Sequence, residues 1–134
     1  MKRFQLTPKK CPCDSGENYK HCCKKYLDQI QSAPTAEALM RSRYTAFTLL
    51  DEDYLRLSWH PDTCPKNIRL NENTVWLGLT IKKTIAGRAD DDAGTVEFVA
   101  RNKINGKAQR LHENSRFVKI DDHWLYVDGD FQSK

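Results

Sequence analysis

Apolar residues recur along this chain with two different periods, the first typical of helices and the second of strands. In the helical region they return every three or four positions, at Ala36, Leu39, Met40, Tyr44, Phe47 and Leu50. This spacing places them on one face of a helix of about four turns, which Thr35 can cap. A second, shorter helix is predicted to begin at Asp51 and to be ended by Pro61, because proline breaks a helix.

From Thr74 onward the apolar period changes to two, which indicates strands. The first predicted strand carries an apolar face formed by Val75, Leu77, Leu79 and Ile81. Three further strands are predicted at residues 95–104, 107–120 and 123–128. The Asn-Gly pair at residues 105–106 is the strongest short hairpin signal in the chain, and it favours a type I′ turn. Two helices followed by four antiparallel strands predict an α+β domain, with the helices packed on one face of a curved antiparallel sheet.

The composition agrees with a globular protein and places no part of the chain in a membrane. The 134 residues are 39% hydrophobic and 30% charged, which is typical neither of a disordered protein nor of a membrane protein. No apolar run approaches the ~18 residues of a transmembrane helix, so we expect no membrane insertion. Residues 1–6 include basic side chains with no apolar stretch behind them, so we expect no Sec-type signal peptide. Five cysteines, an odd number, then predict a reduced, cytoplasmic protein without a disulfide framework.

Four of the five cysteines are clustered, and their spacing predicts a metal site. They occur as Cys11-Pro12-Cys13 and, after eight residues, as Cys22-Cys23. Four thiolates satisfy the tetrahedral preference of zinc and leave no open position, so one structural zinc ion is expected. Two alternatives were weighed against it: four free surface thiols, and a redox dithiol. Free cysteines are usually buried singly, and redox pairs are usually separated by two residues, so both alternatives fit the spacing less well.

The positive charge of the chain is concentrated around these cysteines. Residues 1–25 carry seven Lys/Arg and two Asp/Glu, whereas the remainder carries fifteen and sixteen. The lysines nearest to the cysteines are Lys9, Lys10, Lys20, Lys24 and Lys25. A basic metal module can bind nucleic acid or an acidic protein surface, although these lysines can also simply offset the negative charge of four thiolates around one zinc ion. The local charge balance makes nucleic acid the weaker of the two partner predictions.

Residues 11–23, with the sequence CPCDSGENYKHCC, resemble the SEC-C motif, the zinc-binding tail of the preprotein translocase ATPase SecA. The resemblance implies the metal ligands Cys11, Cys13, Cys22 and Cys23. It also implies partners such as chaperones or the ribosome. The sequence departs from the motif at residues 14 and 24, where Asp and Lys replace a glycine. Neither position is a ligand, so the departures concern the local turn rather than metal binding.

Downstream segments are similar to the YchJ family of uncharacterised bacterial proteins. The matching segments are residues 33–44 (APTAEALMRSRY), 59–61 (WHP), 76–79 (WLGL), 94–100 (GTVEFVA) and 111–117 (LHENSRF). The resemblance covers nearly the whole chain and implies two domains, a SEC-C-like zinc-binding motif in residues 1–30 and a nuclear transport factor 2-like domain in residues 34–134. In that second domain, helices close a cone of curved sheet. The resemblance implies no established activity.

The predicted hairpin register suggests a pocket inside this cone. A two-residue loop places Phe98 opposite Glu113 and Val96 opposite Ser115, on the apolar face of the sheet. A carboxylate in such surroundings needs a partner, and Arg41 or Arg43 of the first helix is expected to supply it. A β-bulge would instead move Glu113 to the outer face. The candidate pocket residues are Arg41, Arg43, Tyr44, Trp59, His60, Glu113, Ser115 and Tyr126.

Two functions follow from these features. The sequence favours a non-enzymatic interaction or adaptor protein that docks a protein partner or the ribosome through its basic zinc knuckle. The alternative is a cone domain that binds a small molecule or catalyses a reaction around Glu113. In a third interpretation the Arg–Glu pair only fixes the helix against the sheet, because structural ion pairs also form buried networks.

Overall fold

The computed structural model describes residues 9–132 of the chain. The expectation that residues 1–6 contain no signal peptide falls outside this range. So do the outer ends of the two predicted domains, at residues 1 and 134.

Four strands form one antiparallel sheet in the order β1-β2-β3-β4. Their bounds are β1 Thr74–Ala86, β2 Ala93–Ile104, β3 Lys107–Ile120 and β4 His123–Phe131. Asn105 and Gly106 have φ values of 53° and 80°, as a type I′ turn requires. Phe98 pairs with Glu113 across the β2–β3 hairpin, in the predicted register. The α+β prediction with a curved antiparallel sheet is therefore confirmed.

Within the described residues, three α-helices precede the sheet: α1 Lys24–Leu27, α2 Ala36–Thr48 and α3 Glu52–Leu57. Helix α2 begins where the sequence predicts, because Thr35 Oγ1 accepts a hydrogen bond of 3.1 Å from the amide of Ala38. It ends two residues before Leu50, which has a φ of 57° and leaves the helix in a left-handed conformation. Asp51 caps α3 by accepting from the amide of Tyr54 at 3.1 Å. No helix in residues 9–132 is both long and apolar enough to cross a membrane.

Helix α3 ends at Leu57, before Pro61 is reached, so the predicted cause of its termination is wrong. The segment that follows leaves the helix in order to pair with β4. The amide of Tyr126 donates to the carbonyl of Ser58 at 2.9 Å, and the amide of His60 donates to the carbonyl of Tyr126 at 2.8 Å. Tertiary pairing with the sheet, rather than proline, therefore sets this helix end.

A bulge in β1 changes which side chains face the core. The register with β2 shifts between Trp76 and Gly78. As a result Val75 and Leu77, which were predicted on the buried face, are 56% and 49% exposed. Trp76 packs edge-on against Tyr44 of α2 instead, with the ring centroids 5.4 Å apart. Alternation in a sequence does not show where an extra residue enters a strand.

Helix α2 lies at the centre of the molecule and contacts α1, α3, β1, β2 and β4. The core around it contains side chains from the helices and the sheet, such as Leu39, Val96 and Phe117. It also contains Cys11 and Cys23 from the cysteine segment. The cysteine segment and the cone thus share one continuous core.

Candidate metal centre

The four clustered thiols converge on one point. The sulfur atoms of Cys11, Cys13, Cys22 and Cys23 all lie within 4.8 Å of one another. The Cys13 and Cys22 sulfurs are 3.7 Å apart, and the Cys22 and Cys23 sulfurs are 4.0 Å apart. Sulfurs bound at ~2.3 Å around a tetrahedral metal ion are separated by about 3.8 Å, so these spacings fit a four-coordinate metal. Three of the four side chains are buried, and Cys22 is partly exposed.

The local backbone explains how so short a segment brings four sulfurs together. The amide of Cys11 donates to the carbonyl of Glu17 at 2.9 Å, which closes the loop between the two cysteine pairs. A 3-10 turn at Tyr19–His21 then directs the second pair back towards the first. Asp14 has a φ of 63°, in the left-handed region that favours glycine, and this is the first position where the sequence departs from the motif. Asp14 therefore keeps the left-handed backbone conformation of the turn, and only the side chain differs from the glycine of the motif.

Three contacts attach the cysteine segment to the rest of the protein. Arg41 of α2 donates from Nη1 to the carbonyl of Cys13 at 2.7 Å. The sulfur of Cys11 lies 3.7 Å from Thr45 Oγ1, also on α2. The amide of Leu79, beside the β1 bulge, donates to Asp14 Oδ2 at 3.0 Å. Two side chains of α2 and a backbone amide of β1 therefore support the candidate metal centre.

The thiols influence one another because they are so close. Hydrogen bonds from Cys13, and then from Cys23, lower the pKa of Cys11 to about 3. The pKa of Cys23 is raised, first by its hydrogen bond to Cys11 and then by its contact with Cys13 and by burial. Thiolates are the form that binds metal, so the lowered pKa of Cys11 favours metal binding at this site.

Part of the basic charge around the cysteines is neutralised locally. Lys24 pairs with Asp28 at 2.5 Å, and Lys25 lies 5.3 Å from the ring centroid of Tyr26. Lys10 and Lys20 are exposed. The surface that remains for a partner is therefore less basic than the sequence suggests.

A second group of functional side chains lies inside the cone. Arg43 is only 3% exposed, and its Nη1 donates to the carbonyl of Leu55 at 2.9 Å and to Ser58 Oγ at 2.7 Å. Its guanidinium lies 4.6 Å from the ring centroids of both Trp59 and Tyr126. Burial lowers the pKa of Arg43 to about 10, so the group remains charged at neutral pH. Two aromatic faces thus flank a buried cation.

Glu113 lies on the same inner face of the sheet, because the register between β2 and β3 runs without a shift. Its Oε2 accepts a hydrogen bond of 2.9 Å from the hydroxyl of Tyr126. Burial, and then the charge of Glu113, raises the pKa of Tyr126 above its ordinary range. The carboxylate also lies across Gly129, where a Cβ atom would be 1.9 Å from Oε2. An isolated glycine within a strand is the sequence signal for such a close approach.

The structure brings four of the eight candidate pocket residues into contact. This polar cluster consists of Arg43, Trp59, Glu113 and Tyr126. Ser115 is buried on the same face of β3 as Glu113, two residues away. The expected Arg–Glu113 pair is indirect, because Tyr126 contacts both side chains and Arg41 pairs with Glu37 at 3.0 Å. Tyr44 packs on Trp76 instead, and His60 Nδ1 accepts from the amide of Asp62 at 3.0 Å, as in a turn. Ser58, which accepts from Arg43, is a member of this network that sequence reasoning missed, since nothing in its local sequence marks it.

Together these features define a small protein with a segment of four convergent thiols, able to hold a metal ion, and a nuclear transport factor 2-like α+β domain. The profile of the YchJ middle NTF2-like domain matches residues 35–129, and the chain belongs to the YchJ family. It is 49% identical over 133 residues to a UPF0225 protein of Chromobacterium violaceum, covering 96% of this chain and 98% of that one. It is 46% identical over 122 residues to a UPF0225 protein of Deinococcus radiodurans, covering 90% and 88%.

Two solved structures share this fold. A SEC-C motif containing protein from Rhodopseudomonas palustris has a TM-score of 0.77 and 32% sequence identity, and the match covers 92% of this chain and 98% of that one. A second SEC-C motif containing protein, from Psychrobacter arcticus, has a TM-score of 0.71 and 26% identity, covering 98% and 86%. Both the family assignment and the fold class predicted from the sequence are therefore confirmed.

Proposed function

We propose that the protein is a non-enzymatic interaction protein, in which one structural zinc ion shapes a docking surface. The observation that carries this proposal is the closed shell of four convergent sulfurs, three of them buried. Such a shell has no position for a substrate, so the metal serves folding rather than catalysis. A reduced, cytoplasmic setting suits this role because it keeps the thiols available to zinc.

The docking surface of this proposal is the outside of the cysteine segment. Residues 14–18 are exposed throughout, and Lys20 and His21 extend the same exposed stretch. The bonds from Arg41 and Leu79 fix the segment on α2 and β1, so the surface is presented in one orientation. A partner that reads this surface, such as a protein or the ribosome, would therefore depend on the metal for its binding site.

Site-specific photocrosslinking in the native cells tests the proposal. A photoreactive residue replaces Glu17 or Lys20 in the cysteine segment, and the matched control replaces Lys82 in β1. We expect a discrete adduct from the first two positions, none from the control, and loss of the adduct when Cys22→Ser removes a metal ligand. Equal adducts at all three positions, or an adduct that survives Cys22→Ser, would contradict the docking role.

A second function, binding of a small molecule inside the cone, is favoured by one observation. Among residues 9–132, three buried side-chain atoms have no hydrogen-bond partner: Asn102 Oδ1, Trp59 Nε1 and Ser115 Oγ. Trp59 Nε1 belongs to the polar cluster around Arg43, and Ser115 Oγ lies on the same face of β3 as Glu113. Buried polar groups are normally paired, so these two atoms are free to bind a polar ligand or water. Native mass spectrometry of the protein purified from its own cells would detect such a ligand, which Ser115→Ala should weaken. If the measured mass equals that of the chain with one zinc ion, no ligand is bound, and the polar cluster has a structural role.

A further inference from the structure

We propose that this protein binds single-stranded nucleic acid across the β2–β3 hairpin and the adjacent groove beside the cysteine segment. The inference rests on the proposed interaction role and names the class of partner. In this proposal the partner contacts the sheet rather than the lysines of the cysteine segment. Three observations support it: a group of exposed cations, a neighbouring groove, and the continuous surface that the two form.

The first observation is a group of exposed cations on the outer face of the sheet. Arg101 and Arg110 face each other directly across β2 and β3, and both are exposed together with Lys103. Like charges directly opposite each other destabilise a sheet. Within the described residues 9–132, no ion pair is formed by Arg101 or Arg110, although the carboxylate of Asp14 approaches Arg101 across Gly78. We call Arg101, Lys103 and Arg110 the hairpin cations.

At the other end of the same face, charged side chains form ion pairs with carboxylates. Arg116 donates to Asp128 at 2.6 Å and to Asp130 at 2.8 Å. His112 lies 2.6 Å from the carboxylate of Glu97. Ion pairs thus cover part of this face. Among residues 9–132, the exposed Lys82 and Lys83 of β1 form no ion pair, and neither do the hairpin cations. An anionic partner would supply counter-charges to the hairpin cations.

The second observation is a groove of about 470 Å³ next to the hairpin cations. The cysteine segment contributes Lys10, Cys11 and Asp14 to its lining, and Thr48 of α2 and Trp76 of β1 lie opposite. The volume lies within the range of small-molecule sites and is large enough for a nucleotide. Trp76 is partly exposed, and an aromatic side chain beside a basic surface is the usual platform for a base of a single strand. This pairing favours nucleic acid over an acidic protein.

The third observation is that the cations and the groove form one surface. Gly78 lines the groove and pairs with Arg101. A Cβ atom at Gly78 would lie 2.9 Å from Arg101 Nη2 and 2.8 Å from Asp14 Oδ2, so the guanidinium reaches over the glycine to the edge of the groove. Asp14 is already engaged by the amide of Leu79. A strand could therefore place its phosphates on the hairpin cations and a base in the groove.

Fluorescence anisotropy with labelled twelve-nucleotide oligo-U and oligo-dT, at several salt concentrations and with zinc-loaded full-length protein, tests this proposal. The triple variant Arg101→Gln, Lys103→Gln, Arg110→Gln should bind at least about tenfold more weakly, and the slope of log K against log salt should fall by about 2. The control Lys82→Gln, Lys83→Gln, Arg88→Gln removes the same charge from the far end of the sheet and should change affinity less than about twofold. Replacing these exposed side chains leaves the core intact, so both variants should fold.

A second readout addresses the groove. Stacking of a base on Trp76 should quench its fluorescence, and Trp76→Phe should lose that quenching. Equal loss of affinity in the two triple variants, or equally tight binding of a poly-glutamate peptide, would overturn the inference. Failure with both oligonucleotides would do the same. Metal-dependent crosslinks from Glu17 or Lys20 would then still support the interaction role, so the two proposals fail separately.

Discussion

The cysteine segment and the interior of the cone both bury groups that would otherwise prefer water, but they do so in opposite ways. In the cysteine segment four identical side chains, all within residues 11–23, converge so that a single ion can satisfy them. In the cone, the charge of Arg43 is surrounded by unlike neighbours from distant parts of the chain, and three buried polar atoms of the described residues have no hydrogen-bond partner. The first arrangement depends on one external component, whereas the second depends on the packing of the whole domain.

The largest expected effect comes from removing the metal ligands. Cys22→Ser combined with Cys23→Ser should abolish zinc binding and lower the melting temperature of the whole protein in one transition, because metal binding is folding energy and the sulfurs share the core with α2. Elemental analysis and thermal circular dichroism measure the two effects. The control is Cys64→Ser, outside the cluster, which should retain one zinc. Less than half an equivalent of zinc in the reduced wild-type protein would refute the assignment.

The next largest effect should come from the buried cation of the cone. Arg43→Met removes two hydrogen bonds and both aromatic contacts of the guanidinium, and it leaves Glu113 without its nearby positive charge. We expect a loss of about 3–5 kcal/mol in the free energy of unfolding, measured with urea. Arg43→Lys should recover only part of it, since an ammonium cannot present a planar face to two rings. The exposed Arg56→Lys, as control, should change stability by less than about 0.5 kcal/mol. A similar small change for Arg43→Met would mean that the cation adds nothing to stability.

A smaller effect tests how closely the cone is packed. Gly129→Ala places a methyl group where the Glu113 carboxylate lies, so it should cost about 1–3 kcal/mol. Shortening the acid with Glu113→Ser removes the clash, and the double variant should therefore be more stable than the sum of the two single changes predicts. Urea unfolding of all four proteins gives this coupling energy. Additive effects would show that the carboxylate does not occupy the space above Gly129.

The smallest effect is the part of the pH dependence of stability that Tyr126 contributes. The folded pKa of Tyr126 is raised, so the unfolded chain loses this proton first, near pH 10. Stability from this group is therefore constant below pH 10 and falls above it, by at most about 1.4 kcal/mol per pH unit. Urea unfolding between pH 8 and pH 11 should show a shallower decline for Tyr126→Phe. Parallel curves for the two proteins would argue against a buried, carboxylate-bound phenol.

The same contrast explains what the sequence can predict. The convergence of the four clustered cysteines and the β2–β3 register depend on neighbours in the chain, so spacing and turn chemistry predict both the cluster and the pair Phe98–Glu113. The polar cluster depends on tertiary structure. Arg41 and Arg43 are two residues apart and point to different sides of α2, and only the packed helix shows that Arg41 serves the cysteine segment and Arg43 the cone. The β1 bulge and the early end of α3 at Leu57 likewise depend on contacts between distant parts of the chain, so the local sequence does not show them.

The hydrogen bond from Leu79 to Asp14 has a consequence for the behaviour of the protein in solution. β1 is an edge strand, and an edge strand presents unpaired amides that can recruit a second chain. Asp14 occupies one of these amides and holds the cysteine turn beside the exposed Val75 and Leu77. If the metal is lost and the turn loosens, this edge is uncovered. Bound zinc would then prevent self-association of the protein through β1, and aggregation would be the first sign that the metal has been lost.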